Sequence, residues 1–473
     1  LVEFHRRFLA DFPVPVVLAP ATAHYSWPKA AALVGLGRAA LRLVPVDLDG
    51  RMDPVALRRE VEACLAARQP VMQVVAVIGT TEESAVDPLD EILAIRDEYR
   101  ERGLEFVVHA DAAWGGYFAS MLREPLPEDE DRREPGGTRP AGEAGSTSIF
   151  ITEDGRGAPG MSMSDHVMRQ YRALGRVDTL TVDPHKAGFI PYPAGALCYR
   201  NGSMRDLVAF TAPVVYHGGV DPTVGVYGIE GSKPGAAAAA VYLSHSVIRT
   251  DRSGYGKLLA RCVFNSKRFY SALVTLEGPA FTVTPFQRLP AERAGAPDAD
   301  VAAQKARIAR EILPLDNEAL LLAFEEDPEL LELFRELGSD QTIVTYAFNF
   351  RTADGLNRDL HRMNEMNDLV FQALSLQHFE GGSVPKAPMF VTASSFSPEA
   401  YGQDLVSNFA RRAGVEPIEG TEVKFIISTT QNPWLTEAGD GHVLDTLMKV
   451  LGQTATRSAA EVIRRHGLAP PAH

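Results

Sequence analysis

Cysteine is scarce: three residues in 473, Cys64, Cys198 and Cys262, odd in number and irregular in spacing. That spacing suggests neither a disulfide framework nor a zinc site, so the thiols read as buried filler in a reduced, cytoplasmic compartment. Long apolar runs are also missing. None approaches the ~20 residues that span a bilayer. The opening "LVEFHRRFLADFPVP" has neither the long apolar stretch nor the small-residue cleavage site of a secretory leader. Positive charge is in deficit, with 47 Lys and Arg against 61 Asp and Glu and a formal net charge of −14. Such a balance argues against nucleic acid or an anionic membrane as partner. An initiator methionine is lacking too, and the expectation is a chain that starts within a longer protein.

What remains is ordinary globular composition, 45% hydrophobic and 23% charged. The length exceeds what one core usually supports, so two domains are expected. Residues 1–250 read as a large domain, and 251–473 as connecting helices followed by a small α+β domain. In the first half, apolar runs such as "VPVVLAP" (14–20), "VMQVVAVIG" (71–79), "LEFVVHAD" (104–111) and "VDTLTVDP" (177–184) alternate with helical patterns. Near-continuous runs of this kind between helices predict a mainly parallel sheet covered on both faces. Asp53 and Pro54 mark the start of one helix as N-cap and first helical residue. Charge, proline and glycine dominate 123–160, which reads as an exposed insertion. "GAAAAAVYLSH" (235–245) begins a helix leaving the large domain. "QTIVTYAFNF" and "EVKFIISTT" supply strands of the small one, and 441–452 a closing helix.

Lys186 follows an apolar strand in "TVDPHKAGFIPYPAG" (181–195), where a lysine gives up hydration unless its amine is used. Asp111 ends the strand in "HADAAWGGYF", Thr80 and Thr81 follow one in "VIGTTEES", and His24 follows another in "ATAHYSWPK". In open α/β sheets such strand ends converge on one crevice. Each residue alone has a plainer reading: a solvated strand end for Lys186, a helix N-cap for Asp111, a core histidine for His24, turn residues for the threonines. Together they suit an aldehyde cofactor. A lysine amine condenses with pyridoxal phosphate, and a carboxylate beside the ring nitrogen keeps that nitrogen protonated.

The motifs "AHYS" (23–26), "GTT" (79–81), "HADAAWGG" (109–116) and "DPHK" (183–186) resemble those of the group II pyridoxal phosphate-dependent amino-acid decarboxylases. "HYSWPKAA", "VDPHKAGFIPYPAGAL" and "GIEGSKPGAAAA" (228–239) are most similar to the bacterial tyrosine decarboxylase branch. The resemblance implies the type I pyridoxal phosphate fold and decarboxylation of an L-amino acid, tyrosine or another aromatic one, to its amine. It also implies a homodimer with the active site at its interface. Lys186 matches the Schiff-base lysine and Asp111 the partner of the pyridine nitrogen. Ala113 matches the small residue beneath the ring, His24 the imidazole on the other face and Thr81 a hydroxyl near the ring oxygen. His185 matches a phosphate or carboxylate contact, Ser232 a phosphate contact from the second subunit, and Tyr192 the residue that returns a proton to the product.

Two departures stand out. Asp183 occupies a position where many relatives carry Asn or Ser. In addition, the 23 residues before His24 contain no glycine or serine for a phosphate loop. Two other readings therefore stay open on sequence alone: a truncated or non-catalytic homologue, and a glutamate-type decarboxylase or another carbon–carbon lyase of this fold.

Overall fold

Short β-branched segments separated by helices build a sheet whose faces alternate along each strand. The structure, a computed structural model, describes residues 2–8, 10–125, 150–151, 158–159, 162–209, 224–227, 233–375, 389–437 and 443–471. Val16–Pro20 (β1), Leu41–Val44 (β2), Val71–Val77 (β3), Val107–Asp111 (β4), Thr179–Val182 (β5) and Ala196–Tyr199 (β6) form one six-stranded sheet. Its order is β2-β1-β3-β4-β5-β6. Strands β1 to β5 run parallel, whereas β6 pairs antiparallel with β5. The reason is the connection: segment 183–195 holds no helix to carry the chain back across the sheet, so the chain simply reverses.

Helix Ser26–Leu33 (α1) follows β1, Pro54–Ala66 (α2) follows β2, and Leu89–Glu101 (α3) follows β3. Asp53 caps α2 by accepting from the Val55 N–H at 2.8 Å, with Pro54 in the first turn where its missing N–H costs nothing. One face of the sheet carries Leu18, Val74, Ala76, Val108 and Ala110 into the main core, where Leu57 and Val61 of α2 and Ile92 of α3 meet them. The opposite face is a smaller patch of Ala19, Val75 and Val77, covered in part by Trp27 of α1. Most of the segment 123–160 lies outside the described residues.

Helix Gly235–Val247 (α4) leaves the sheet with no buried residue. Helix Tyr255–Val274 (α5) then joins the two halves: Tyr255, Leu259 and Val263 pack in the first core, Phe269, Tyr270 and Leu273 in the second. Two buried cations on α5 satisfy carbonyls at helix ends. Lys267 Nζ donates to Arg335 O and Leu337 O, both at 2.7 Å, and Arg268 donates to Ile312 O at 2.9 Å and Leu315 O at 2.7 Å. Beyond α5, Phe281–Pro285 (β7), Ile343–Thr352 (β8), Thr392–Phe396 (β9) and Val423–Thr429 (β10) form an antiparallel sheet in the order β9-β10-β8-β7. The closing helix runs Val443–Arg465, well past the expected 452, because Ala455, Ala459 and Val462 continue its buried stripe.

The two sheets grip the loop after β3 between them. Asp340 accepts from Arg51 at 2.6 and 3.0 Å and from the Val86 N–H at 2.8 Å. Gln287 donates to Glu83 O at 3.0 Å, and Thr345 Oγ1 donates to Glu82 O. Glu82 in turn accepts from Ser394 at 2.7 Å and Tyr401 at 2.9 Å. Beside it, the Glu83 carboxylate is buried, and among the described residues neither oxygen has a hydrogen-bond partner. Burial, then the neighbouring Glu82 charge, pushes the Glu83 carboxyl up to about 7.

Because folding raises this pKa above the ordinary carboxylate value of 4.5, the native state holds a proton that the unfolded chain releases. Stability from this group is complete below about pH 4.5 and is lost as pH rises through about 7. Buried Asp87, also raised to about 7, slopes the same way. Glu83→Gln should therefore flatten part of the decline in urea midpoint between pH 5 and pH 8, gaining up to ~3 kcal/mol over the parent at the upper end. Parallel midpoint curves for parent and variant would remove Glu83 from this linkage.

Candidate active site at the strand ends

Strand register decides which side chains meet. Val77 pairs with Asp111 and Asp111 with Thr181, so the C-terminal ends of β3, β4 and β5 lie level. The strand order reverses at β1, flanked by β2 and β3, which is where an open α/β sheet leaves a crevice at its carboxyl edge. There the structure has a cavity of about 570 Å³. His24 lines it from the segment after β1, Thr81 from the loop after β3, and Asp111 and Ala113 from the end of β4. Asp183 and Lys186 line it from the turn after β5, and the small sheet contributes Ile343 and Thr429.

Period-two alternation puts His109 and Asp111 of β4, with Thr179 and Thr181 of β5, on the face opposite the main core. The buried His109 ring bonds Thr179 Oγ1 through Nδ1 at 2.8 Å and Thr181 Oγ1 through Nε2 at 3.2 Å. Asp111 Oδ2 accepts the Trp27 indole N–H at 2.9 Å, and Oδ1 the Ala113 N–H at 3.3 Å. Asp111 thus caps no helix; it ends a strand with its carboxylate facing the cavity.

Lys186 Nζ lies 2.9 Å from Asp183 Oδ2. The His24 imidazole sits 4.0 Å from the Tyr25 ring, its Nδ1 paired with Ser26 Oγ at 2.9 Å. Burial first, then the nearby Lys186 ammonium, hold its pKa below 6.5, so the ring is neutral at pH 7. The two threonines divide: Thr80 is fully buried and accepts the Ala85 N–H at 2.9 Å, while Thr81 faces the cavity.

His185 and Tyr192 stand elsewhere. The His185 imidazole is exposed and engages Ala194, 2.6 Å from its carbonyl oxygen, and Tyr192 is 37% exposed; neither lines the cavity. Ser232 lies outside the described residues. Trp27, Trp114, Ile343 and Thr429 had no sequence-based assignment. Trp27 falls inside the quoted "HYSW" and had that much signal, whereas Ile343 and Thr429 come from distant strands with none.

Residues 11–128 match the pyridoxal-dependent decarboxylase conserved domain. An L-tyrosine decarboxylase of Enterococcus faecium is 28% identical over 468 residues, covering 94% of this chain and 63% of its own length. The chain is similar to pyridoxal-dependent decarboxylases, in their conserved domain over residues 11–128 and at lower identity over most of its length. The L-tyrosine decarboxylase of Enterococcus faecalis is 36% identical over 275 residues, covering 54% of this chain and 40% of that protein. That of Levilactobacillus brevis is 35% identical over 262 residues, covering 55% and 40% respectively. The chain thus spans between 40 and 63% of the length of these relatives.

Among solved structures, mouse CSAD in apo form aligns with TM-score 0.56 at 16% identity, over 96% of this chain and 66% of that one. Oryza sativa TDC with PLP and tryptamine aligns with TM-score 0.55 at 14% identity, over 96% and 66%. Both share the fold of the present chain.

Two glycines hold the "HADAAWGG" segment against the sheet. A Cβ on Gly115 would stand 2.0 Å from Ile78 O, and one on Gly116 would stand 2.5 Å from the Val182 side chain. The Gly115 neighbour is backbone and cannot rotate away. Gly115→Ala should therefore cost on the order of 2–4 kcal/mol in urea unfolding, with Gly175→Ala, at an exposed position where a Cβ would meet nothing, as the surface control. Equal losses at the two positions would show that the close approach is not what Gly115 serves.

Proposed function

We propose that this chain decarboxylates an L-amino acid, tyrosine or another aromatic one, to its amine and CO2, with pyridoxal phosphate as cofactor. The observation that carries the reading is Lys186 and Asp111 lining one cavity at the reversal of strand order. The donor set fits the ring of that cofactor. Lys186 supplies the amine, Asp111 a carboxylate for the ring nitrogen, Ala113 a short side chain where a larger one would intrude, and His24 a neutral imidazole for the ring face. The tyrosine preference draws on the names of the relatives. Lys186 is also the sole lysine or arginine lining the cavity among the described residues, which disfavours an acidic substrate side chain.

Pyridoxal phosphate supplies an aldehyde for the amine and a ring that takes up the electron pair left when the bond to the carboxylate breaks. The protein's share is placement. Asp111, an anion facing the ring nitrogen, favours its protonated form. Asp183 holds the Lys186 amine at 2.9 Å and pairs with it as a counter-ion whenever that amine is protonated. A proton must replace the departing CO2 at the α-carbon, and the Lys186 ammonium is a donor within the cavity. Trp27, Trp114 and Ile343 line it with apolar surface that excludes water.

Loss of the Lys186 amine by Lys186→Ala should abolish both the visible absorbance that pyridoxal phosphate gives with the parent and CO2 release from tyrosine. Parent-like turnover in that variant would sink the reading. Asp111→Asn should bind the cofactor and lose about 10³-fold or more in turnover.

A homodimer is part of the same proposal, in a reduced cytoplasm consistent with three unpaired thiols. No helix among the described residues is long and apolar enough to cross a membrane. Helix α4 exposes Tyr242 at 73%, Leu243 at 64% and Val247 at 84%, a row of apolar side chains of the kind that a second subunit covers. Leu243→Asp with Val247→Asp should shift the sedimenting species from dimer to monomer, and an unchanged dimer would place the interface elsewhere.

A further inference from the structure

An aspartate side chain has two rotatable bonds, and its carboxylate serves a ring nitrogen only from one orientation. In this structure the orientation is set by Trp27. Its indole N–H donates to Asp111 Oδ2 at 2.9 Å, while the one other donor to that carboxylate among the described residues, the Ala113 N–H, is longer at 3.3 Å and reaches Oδ1. The indole is itself held. It packs against Ala19, Val75 and Val77 on the secondary face of the sheet, and its edge meets the His109 ring with centroids 5.5 Å apart. His109 is immobilised in turn by Thr179 and Thr181. Trp27 lies three residues after His24, so one turn of chain carries both the imidazole of the cavity and the donor that orients its carboxylate.

We propose that Trp27 is a positioning residue for the reaction: its indole N–H fixes the Asp111 carboxylate toward the cofactor's ring nitrogen. A donor to a carboxylate also favours its ionised form, and an ionised carboxylate is what keeps a facing ring nitrogen protonated. Packing alone would make any aromatic residue sufficient here; the hydrogen bond makes the N–H itself the requirement. This inference rests on the decarboxylase reading above.

The test loads parent and Trp27→Phe with pyridoxal phosphate labelled with ¹⁵N in the ring and follows the nitrogen resonance against pH. Phenylalanine keeps the apolar contacts and deletes the donor. The parent should show a protonated ring nitrogen across neutral pH. The variant should move toward the unprotonated position, with kcat for tyrosine reduced about tenfold or more and KM little changed. A variant with the parent's resonance and kcat overturns the role of Trp27 while leaving the decarboxylase reading intact. A parent that binds no cofactor overturns both. Should Trp27→Phe not fold, Trp27→His retains a ring N–H: a parent-like resonance there supports the positioning role, and a shifted one overturns it.

Discussion

The level register of three parallel strand ends is the constraint on which the site depends. Val77, Asp111 and Thr181 are paired neighbours across β3, β4 and β5. Whatever follows each strand therefore leaves the sheet at the same height. A one-residue slip of β4 would turn Asp111 and His109 onto the apolar face, among Leu18, Val74 and Ala76. Burying a carboxylate there without a partner would cost several kcal/mol. The same slip would take Asp111 from Trp27 and His109 from its two threonines. Register, carboxylate orientation and core formation are thus one decision, made when the main core assembles.

The small sheet takes part in that decision although it lies far away in sequence. Its residues clasp the loop that carries Thr81. Gln341 Nε2 reaches Tyr171 Oη at 2.7 Å, and Tyr171 donates to Gly115 O at 2.9 Å, which ties the small sheet to the turn just after Asp111. Burial alone would raise the Asp340 carboxyl, but the Arg51 guanidinium beside it wins and holds it at about 2. A buried pair of this kind contributes little net stability over apolar packing, yet it is costly to break from one side. Ile343 and Thr429, paired across β8 and β10, then close the cavity from above.

Much of this was legible in the chain itself, for a physical reason. Parallel strands in an α/β unit bring their C-terminal ends together whatever the loop sequences are, so "GTT", "HADAAW" and "DPHK" could be placed on one crevice before any coordinates. His24, Thr81, Asp111, Ala113 and Lys186 do line one cavity. The parts that stayed illegible involve side-chain direction or long-range contact. The antiparallel turn to β6 depends on a loop lacking a helix, and that loop carries Tyr192 away from the cavity. The His185 ring turns to the Ala194 backbone, a choice between rotamers that spacing does not encode. Asp183 was conspicuous as a departure, but its partnership with Lys186 needs the turn geometry to be seen. Trp27 carried no assignment of its own, since nothing in a sequence says that an indole N–H points at a carboxylate across the sheet.

The charges in the cavity give a ligand a direction. Two carboxylates, Asp111 and Asp183, face one ammonium, Lys186, and a neutral His24. The balance is negative on the wall formed by β4 and β5. A molecule with a protonatable ring nitrogen at one end and an anionic group at the other is drawn in with the nitrogen toward that wall and the anion away from it. The Lys186 amine lies between the two ends, paired with Asp183 but free to exchange that contact for another. Polarity of this kind orients such a molecule by charge alone. It also makes the Trp27 hydrogen bond consequential, because a carboxylate free to swing toward Lys186 would pair with that amine and leave the β4 wall of the cavity without its negative charge.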